Sequence, residues 1–434
     1  MSRNSREEKR AENFDGDYDF FRPSEEKRAI CLLCRSGQSK SLSGLSEQTE
    51  KESETSRLQK VYSSKVDMLL MQLDIQLRCK NEASLHERII TMIRFESDYT
   101  QGAVPEIINK LVETNLEMTP GYGTDHYCAS AADKIRAEID MPSADVHFLV
   151  GGTQTNMLFI SSVLRPHQGV MCAHTGHIFA HETGAIEATG HKVITIDSKD
   201  GTVTADQVRS LLDAHYADET HEHIVQPAMV YVSFPTENGT LYSKAQLTEL
   251  SDLCRQRDIP LYLDGARLGY GLMSEKNDLT LSDIAKLCDG FYIGGTKVGA
   301  LFGEALVITN DKYKKDFRYM EKQRGAMLAK GRLLGLQFDT LFTDGLYYKV
   351  SAHAATLAMK IRKALEAKGI GLYFDSPTNQ QFPILTDEQM KKLGEDFAYS
   401  YWCKAGDKHV VRFCTSWATK EEDVDKLTEA IEKL

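Results

Sequence analysis

Residues 291–303, FYIGGTKVGALFG, join an apolar run to a glycine-rich turn that holds a single lysine, Lys297. An apolar run bounded by glycines predicts a buried strand followed by a tight turn. A lysine among small and apolar residues is poorly solvated, which lowers the pKa of its amine and makes the amine nucleophilic. The competing interpretation is a lysine that extends its charge to the surface. The glycine-rich surroundings, with Thr296 beside the lysine, favour the nucleophile.

Residues 261–267, LYLDGAR, are the next feature towards the N-terminus. They predict a buried strand that ends at Asp264, and in open α/β sheets the binding site lies at the carboxyl ends of the strands. An unpaired buried carboxylate is costly, so Asp264 needs a partner that carries a proton or a positive charge. Arg267 could supply that charge. A helix N-cap is the alternative role for Asp264.

Residues 146–156, VHFLVGGTQTN, predict a strand, a turn at Gly151, Gly152 and Thr153, and the start of a helix. Glycines let the backbone approach a ligand closely, and the free N–H groups of a helix start favour a phosphate. Taken alone, a pair of glycines after a strand is more often a tight turn that binds nothing.

Residues 174–190, HTGHIFAHETGAIEATG, contain three histidines and two glutamates. A metal site is conceivable, but the spacings from His174 to His177 and from His177 to His181 match no compact zinc motif. We therefore predict no metal. The better functional interpretation of His177 is an aromatic surface against a ligand or a proton carrier.

A phosphate-binding turn, a strand-end aspartate and a lysine in a glycine-rich turn, in this order, are what pyridoxal phosphate requires. The lysine binds the aldehyde of the cofactor, the acid keeps the pyridine nitrogen protonated, and the turn holds the phosphate. The three features together are much more specific than any one of them. The sequence therefore predicts an enzyme that uses pyridoxal 5'-phosphate.

From about residue 92 to the C-terminus the chain also resembles the threonine aldolase and β-eliminating lyase family of fold-type I pyridoxal-phosphate enzymes. The matching stretches are GGTQTN, GHIFAHETGAI, LDGARL, GGTKVGALFG and VRFCTSWATKEED. The resemblance implies an aspartate aminotransferase-like α/β fold, a mostly parallel sheet with helices on both faces, and a smaller C-terminal α+β domain. It also implies a homodimer or homotetramer, because members of this family build each site from two subunits.

The resemblance assigns roles residue by residue. It implies that Lys297 binds the cofactor covalently, that Asp264 pairs with the pyridine nitrogen, and that His177 stacks on the ring. The residues expected to contact the cofactor are Gly151, Gly152, Thr153, His177, Asp264, Arg267, Thr296 and Lys297. Those expected to bind the substrate are Asp98, Tyr122, Arg267 and Arg412. Asp98 and Tyr99 match the substrate segment of the family, the two arginines match its carboxylate-binding residues, and the turn at 121–123 matches a loop shared between subunits.

One departure from the family pattern bears on the reaction. Typical threonine aldolases carry an Asn-Thr-His element after the middle strand, whereas this chain reads PTENG at 235–239, which places Glu237 near the position of the histidine. The expected catalytic residues are therefore Lys297, His177, Asp264 and Glu237. The expected reaction is cleavage of L-threonine or L-allo-threonine to glycine and an aldehyde. The alternatives are β-elimination or transamination of another small amino acid, and, more remotely, a non-catalytic binding protein on the same fold.

Short β-rich runs alternate with helical stretches after residue 92, which predicts a mostly parallel sheet. The predicted division is an N-terminal extension at 1–91, a large cofactor-binding domain at 92–325 and a small domain at 326–434. Within the extension, residues 36–56 are Ser-, Glu- and Lys-rich and predict disorder. A stripe of apolar residues at helical spacing predicts one amphipathic helix there, formed by Val66, Leu69, Leu70, Leu73 and Leu77.

The composition excludes several functional classes. A length of 434 residues with 41% hydrophobic residues suits a large globular protein. A net charge of −11 without basic clusters argues against nucleic acid as a partner. No apolar run is long enough for a membrane span or a signal peptide, and nine scattered cysteines do not suggest a disulfide framework. We expect a cytoplasmic protein with a small amino acid as substrate.

Overall fold

The computed structural model describes residues 92–434. The predicted disordered segment and amphipathic helix of the N-terminal extension lie outside the described residues. The strands are β1 (Ile93–Arg94), β2 (Asp145–Leu149), β3 (Gln168–Ala173), β4 (Val193–Ile196), β5 (Gln226–Ser233), β6 (Leu261–Asp264), β7 (Gly290–Gly294), β8 (Glu304–Ile308), β9 (Gln380–Gln381), β10 (Ile384–Leu385), β11 (Phe397–Ala398), β12 (Ser400–Ala405) and β13 (Lys408–Cys414).

The α-helices follow most of these strands in alternation. Their bounds are α1 (Pro105–Glu113), α2 (His126–Glu138), α3 (Gly152–Val163), α4 (His177–Ala180), α5 (Ala205–Ala217), α6 (Lys244–Gln256), α7 (Leu268–Leu272), α8 (Leu281–Leu287), α9 (Phe317–Gln323), α10 (Arg332–Leu341), α11 (Leu346–Ala367), α12 (Asp387–Leu393) and α13 (Glu421–Glu432). Short 3-10 turns occupy Glu187–Thr189, His221–His223 and Asp311–Tyr313. None of the helices described here is long and apolar enough to cross a membrane.

Seven strands form the central sheet in the order β2-β8-β7-β6-β5-β3-β4. Strands β7, β6, β5, β3 and β4 are parallel, whereas β8 runs antiparallel to both of its neighbours. Strands β6, β7 and β8 are buried along their whole length, as expected for a sheet covered on both faces. The predicted fold class, a mostly parallel sheet with helices on both faces, is confirmed.

Alternate residues of the central strands enter different apolar cores. Val230 and Val232 of β5 pack in one core, whereas Met229 and Tyr231 of the same strand pack in the other. This alternation follows from the two-residue period of a strand. Side chains that need a polar site must therefore lie where the strands end, because both faces of the sheet are filled by apolar side chains.

The C-terminal part forms a smaller α+β layer. Strands β10, β13 and β12 are antiparallel, and β9 pairs with β13. Helix α11 packs against α13, and its first turns pack on the large core through residues such as Tyr347. Helix α10 packs on α2. The predicted domain boundary at residue 325 stays a prediction.

Candidate active site

Asp264 is the last residue of β6 and is 3% exposed. Its Oδ2 accepts hydrogen bonds from Tyr231 Oη at 2.6 Å and Asn156 Nδ2 at 3.0 Å, and its Oδ1 accepts one from Tyr292 Oη. Burial raises the pKa of the carboxyl, but the charge of His177 and these three hydrogen bonds outweigh burial and lower the pKa below its usual value. Asp264 is therefore a buried, ionised carboxylate.

The N-cap interpretation of Asp264 is wrong. The helix that follows is α7, its N-cap is Arg267, and no side chain caps it. The Oδ1 atom of Asp264 instead accepts from Ala266 N at 3.0 Å inside the turn. Within residues 92–434, Asp264 forms no salt bridge with Lys or Arg. Neutral donors make its hydrogen bonds, and the charge of His177 acts on it without a direct ion pair.

Lys297 lies in the turn between β7 and β8. Gly295 N and Thr296 N both donate to Gly303 O at 3.0 Å, and Gly303 N donates to Thr296 Oγ1 at 2.9 Å. Gly299 has a φ of +93°, and a Cβ there would meet a Val104 methyl at 2.8 Å. The turn is therefore held by its own hydrogen bonds and by a position that only glycine fills easily. Thr296 stabilises this turn through both its backbone N–H and its hydroxyl.

The amine of Lys297 is surrounded by charged groups. Burial and the charge of Arg267 lower its pKa, the carboxylates of Asp98, Asp264 and Glu304 oppose them, and the net pKa lies below the usual value for lysine. The Nζ atom lies 6.0 Å from the centre of the Tyr99 ring. The lowered pKa is the property that a nucleophilic lysine requires, which agrees with the interpretation made from the sequence.

Glu304 begins β8 beside this turn and is 4% exposed. Its Oε2 accepts from Gly295 N at 2.9 Å. Burial raises the pKa of its carboxyl to about 7, although the hydrogen bonds from Thr296 and Gly295 and the charge of Lys297 act in the opposite direction. No local pattern in the sequence predicts a role for Glu304.

His177 is the first residue of α4, and one nitrogen of its imidazole ring contacts a carboxylate. Nδ1 lies 2.7 Å from Glu182 Oε1, and Glu182 is buried. Burial lowers the pKa of the imidazole, but the hydrogen bond to Glu182 and the charge of Asp264 outweigh burial, so the pKa is raised. The ring centre lies 5.6 Å from that of His181.

Glu237 lies next to the backbone of His177. Its Oε1 accepts from His177 N at 3.0 Å and from Ser233 Oγ at 2.7 Å. Burial raises its pKa, and the charge of Asp264 adds to that effect. Glu237 also lines a chamber of about 390 Å³ together with His181 and Trp402. The structure thus brings Glu237, His177, Asp264 and Lys297 into one electrostatically coupled group.

Arg267 and Arg412 both form hydrogen bonds with the segment 96–98. Arg267 binds Asp98 in a fork, with Nε to Oδ2 at 2.7 Å and Nη2 to Oδ1 at 3.0 Å, and Asn379 Nδ2 donates to Asp98 Oδ2 at 2.9 Å. Arg412 donates from Nη1 to Gln380 Oε1 at 3.1 Å and from Nη2 to Glu96 O at 2.9 Å. Asp98 is fully buried and therefore orients Arg267 in this chain.

The turn before α3 leaves helix N–H groups free. Gly151 is the N-cap and supplies no capping side chain, and nothing lies within 4 Å of a Cβ built there. A Cβ on Gly152 would meet Tyr292 Oη at 2.8 Å, so glycine is needed beside the phenol that binds Asp264. The exposed Thr153 follows in the first turn. Uncapped N–H groups at a helix start are a ready site for a phosphate.

Tyr122 lies apart from these groups within this chain. Its backbone carbonyl accepts from Arg318 Nη2 at 2.9 Å, and Lys322 Nζ lies 4.6 Å from its ring centre. It lines a separate cavity of about 280 Å³ with His147 and Glu321. The predicted contact of Tyr122 with the substrate stays a prediction.

Sequence reasoning missed the residues that hold the predicted ones. Asn156, Tyr231 and Tyr292 bind Asp264, and Glu182 binds His177. Asn156 ended the GGTQTN motif and Glu182 followed His177 by five residues, but neither received a role. For the two tyrosines no signal existed in the sequence, because their placement depends on which strands flank β6.

These residues fit pyridoxal phosphate. The ionised Asp264 forms no ion pair with Lys or Arg within residues 92–434 and suits a protonated ring nitrogen, and the uncapped start of α3 suits a phosphate. Lys297 has the lowered pKa that a covalent bond to an aldehyde needs. Among residues 92–434, no three His, Cys, Asp or Glu side chains group closely enough to hold a metal ion.

Comparison with known proteins agrees with this assignment. The sequence profile of the β-eliminating lyase family matches residues 94–429. A low specificity L-threonine aldolase from a Pseudomonas species is 30% identical over 348 residues, which cover 77% of this chain and 95% of that protein.

Solved structures give the same result. The Leishmania major threonine aldolase is 44% identical, with a TM-score of 0.76, over 78% of this chain and 98% of that one. An aspartate aminotransferase of Thermus thermophilus has a TM-score of 0.60 at 15% identity, over 81% of this chain and 94% of that one. This second likeness concerns the fold.

Proposed function

We propose that this chain, which belongs to the β-eliminating lyase family, cleaves L-threonine or L-allo-threonine to glycine and acetaldehyde with pyridoxal phosphate as cofactor. The observation that carries the proposal is that Lys297, Asp264 and His177 lie at the carboxyl ends of β7, β6 and β3, which are parallel strands of one sheet. The Pseudomonas and Leishmania relatives are both named threonine aldolases, which supports threonine as the substrate.

When bound, pyridoxal phosphate withdraws electrons from the Cα atom of the amino acid attached to it. Asp264 contributes by staying ionised, because a carboxylate next to the ring nitrogen keeps a proton there. Its three hydrogen bonds from side chains fix its position before the reaction begins, so little reorganisation is needed.

Arg267 and Arg412 orient the substrate by its carboxylate. A guanidinium presents a planar fork that matches a carboxylate. Arg412 Nε and Ser97 Oγ are buried and have no hydrogen-bond partner among the described residues, so both are free to meet an added acceptor. Orientation selects the reaction, since the Cα bond perpendicular to the cofactor ring is the one that weakens.

Two groups are placed to take the proton of the substrate hydroxyl when the Cα–Cβ bond breaks. His177 and Glu237 lie side by side, joined by the bond from His177 N to Glu237 Oε1. Both have a raised pKa, so each holds a proton more readily than the free side chain does. If the Cα–H bond is oriented instead, Lys297 acts as the base and a β-substituent leaves, which is the alternative reaction.

The test is product identification with the purified chain and added cofactor. L-Threonine and L-allo-threonine should give glycine and acetaldehyde in equal amounts. Pyruvate and ammonia from L-serine would favour β-elimination, and dependence on a keto acid would favour transamination. Lys297→Ala should abolish the visible absorbance of the lysine-bound cofactor and lower the rate at least about 10³-fold. Lys286→Ala, at an exposed lysine of α8, is the matched control.

We also propose that the protein is a cytoplasmic homodimer or homotetramer. Four large apolar side chains on and after α1 are exposed to solvent. Their exposed fractions are 40% for Ile108, 73% for Val112, 92% for Leu116 and 100% for Met118. Ile108 and Val112 lie one turn apart on α1, and Leu116 and Met118 follow in the segment after it. An apolar surface of this kind is typical of an interface between subunits.

A further inference from the structure

Glu182 is a carboxylate whose side chain has no exposed surface. It contacts His177 directly and is linked to Asp264 through Asn156. Its Oε1 is shared by two donors, His177 Nδ1 at 2.7 Å and Asn156 Nδ2 at 2.8 Å. The closest of these contacts has the length of a charge-assisted hydrogen bond. Glu182 is thus a binding partner of the imidazole and is out of reach of solvent.

The amide of Asn156 joins this pair to Asp264. Its Nδ2 donates to Glu182 Oε1 and also to Asp264 Oδ2 at 3.0 Å, while its Oδ1 accepts from Tyr262 Oη at 3.1 Å. An amide nitrogen has two hydrogens, so each carboxylate receives one. The reversed amide would set its oxygen against two carboxylate oxygens. The contacts therefore fix the orientation of Asn156 and connect both carboxylates.

The contact with Glu182 decides which imidazole nitrogen carries hydrogen. Glu182 Oε1 already accepts from Asn156 Nδ2, and an oxygen that accepts from one donor at this site is the acceptor for His177 as well, so Nδ1 carries the hydrogen. In the neutral imidazole the lone pair then lies on Nε2, and only Nε2 exchanges a proton with a ligand. The same logic orients the histidine of other carboxylate–histidine pairs in enzymes.

We propose that Glu182 is the positioning residue of His177: it holds the Nδ1–H tautomer and makes Nε2 the proton-carrying atom, and Asn156 ties this pair to Asp264. The proposal rests on the proposed function for the role of His177 in catalysis. The network of hydrogen bonds itself belongs to the chain and exists whatever the substrate. One buried network then orients both the imidazole of His177 and the carboxylate of Asp264, the two groups that would meet the ring of the cofactor.

Other charged groups face His177 and act on its titration. Glu182 and Asp264 favour the protonated ring, and Lys297 opposes it. Glu237 contacts the backbone N of His177, and His181 lies beside the ring. Glu182 is distinguished from all of these because it alone contacts a ring nitrogen among the described residues.

The first experiment is nitrogen-15 NMR of the full chain labelled at histidine, with His177 identified by the signal missing in His177→Asn. The expected spectrum at high pH shows the Nδ1–H tautomer of His177. Glu182→Gln, which keeps the shape of the side chain and removes its charge, should lower the pKa of His177 by about one unit, a tenfold loss of proton affinity. Glu187→Gln, an exposed carboxylate of the same segment, should leave it unchanged.

An Nε2–H tautomer in the unmodified chain would overturn the proposal, and this measurement needs no variant that could fail to fold. So would a Glu182→Gln titration identical to that of Glu187→Gln. These readouts do not use activity, so they stand even if threonine is not cleaved.

The second experiment measures the pH profile of the holoenzyme with L-threonine. Glu182→Gln should move the acid limb of kcat to lower pH by the same unit and lower kcat about 10-fold to 100-fold, with KM changed less than threefold. Loss of cofactor or a uniform fall of kcat and kcat/KM without a shifted limb would mean that Glu182 only supports the fold, and would overturn the proposal.

Discussion

At the scale of single residues, the site is shaped by the way its buried charges are balanced. Asp264 is held by two phenols, an amide and a backbone N–H, none of which is charged. Asp98, in contrast, has the fork of Arg267 as a cationic partner. Burial of an unmatched charge is costly, so Asp264 gains most from a cation that arrives with a ligand. A protonated ring nitrogen is such a cation.

Glu304 gives a prediction for stability as a function of pH. Its pKa of about 7 in the folded chain lies above its usual value of 4.5, so between these values the folded state binds more protons than the unfolded state. Stability therefore falls as pH rises through this window. Glu304→Gln removes this titration. The free energy of unfolding of the variant, relative to that of the unmodified chain, should therefore be about 1 to 3 kcal/mol higher at pH 8 than at pH 5.

Urea unfolding of the unmodified chain and the variant at both pH values measures this difference. Glu249→Gln, at an exposed carboxylate of α6, serves as the control and should show no such change. Equal effects of Glu304→Gln at pH 5 and pH 8 would show that this carboxyl titrates normally.

At the scale of elements, the start of α3 links the phosphate-binding turn to Asp264. Gly152 lies against Tyr292, whose phenol donates to Asp264, whereas Gly151 faces open space. Gly151 has a φ of −179°, an extended conformation that any residue adopts. Two adjacent glycines therefore have different reasons to be glycine: Gly152 is required by close packing, and Gly151 leaves the helix start open.

Gly152→Ala should destabilise the chain by about 1 to 3 kcal/mol, because its methyl group must displace the Tyr292 phenol from Asp264. Gly151→Ala should stay within about 0.5 kcal/mol of the unmodified chain. Thermal and urea unfolding of the two variants without cofactor checks this pair. Equal stability of the two would show that Tyr292 moves aside without loss.

At the scale of the whole molecule, the apolar side chains of α1 and of the turn after it form a surface that residues 92–434 leave uncovered. Val112 on the helix and Leu116 in the turn are among its most exposed members. Large apolar side chains grouped on a surface are usually covered by a partner. A second copy of this chain is the partner that the proposed homo-oligomer supplies.

The double variant Val112→Glu with Leu116→Glu should shift the protein from an oligomer to a 48.8 kDa monomer, since two charges would have to be buried in the interface. Sedimentation velocity measures the mass. Tyr401→Glu changes a similarly exposed aromatic residue on β12 and should keep the oligomer. An unmodified chain that sediments as a monomer would refute the proposed assembly.

The features that local sequence predicted are those in which the pattern and the chemistry lie in one short stretch. The strand that ends at Asp264 and the glycine-rich turn of Lys297 are examples, since an apolar run followed by glycines specifies both the element and its end. The N-cap role of Asp264 was wrong because that role depends on where the next helix begins, and boundaries of helices are weakly encoded.

The sequence alone determined the mostly parallel sheet and the cofactor, and it predicted the roles of the lysine and the aspartate, because hydrophobic periodicity and glycine act over a few residues. Only the tertiary structure decided that Asp98 binds Arg267 across 169 residues and that Asn156 reaches Asp264 across 108. These contacts depend on the order and register of the strands. That order is set by the packing of the whole sheet, so no short segment contains the information that joins Glu182, Asn156 and Asp264.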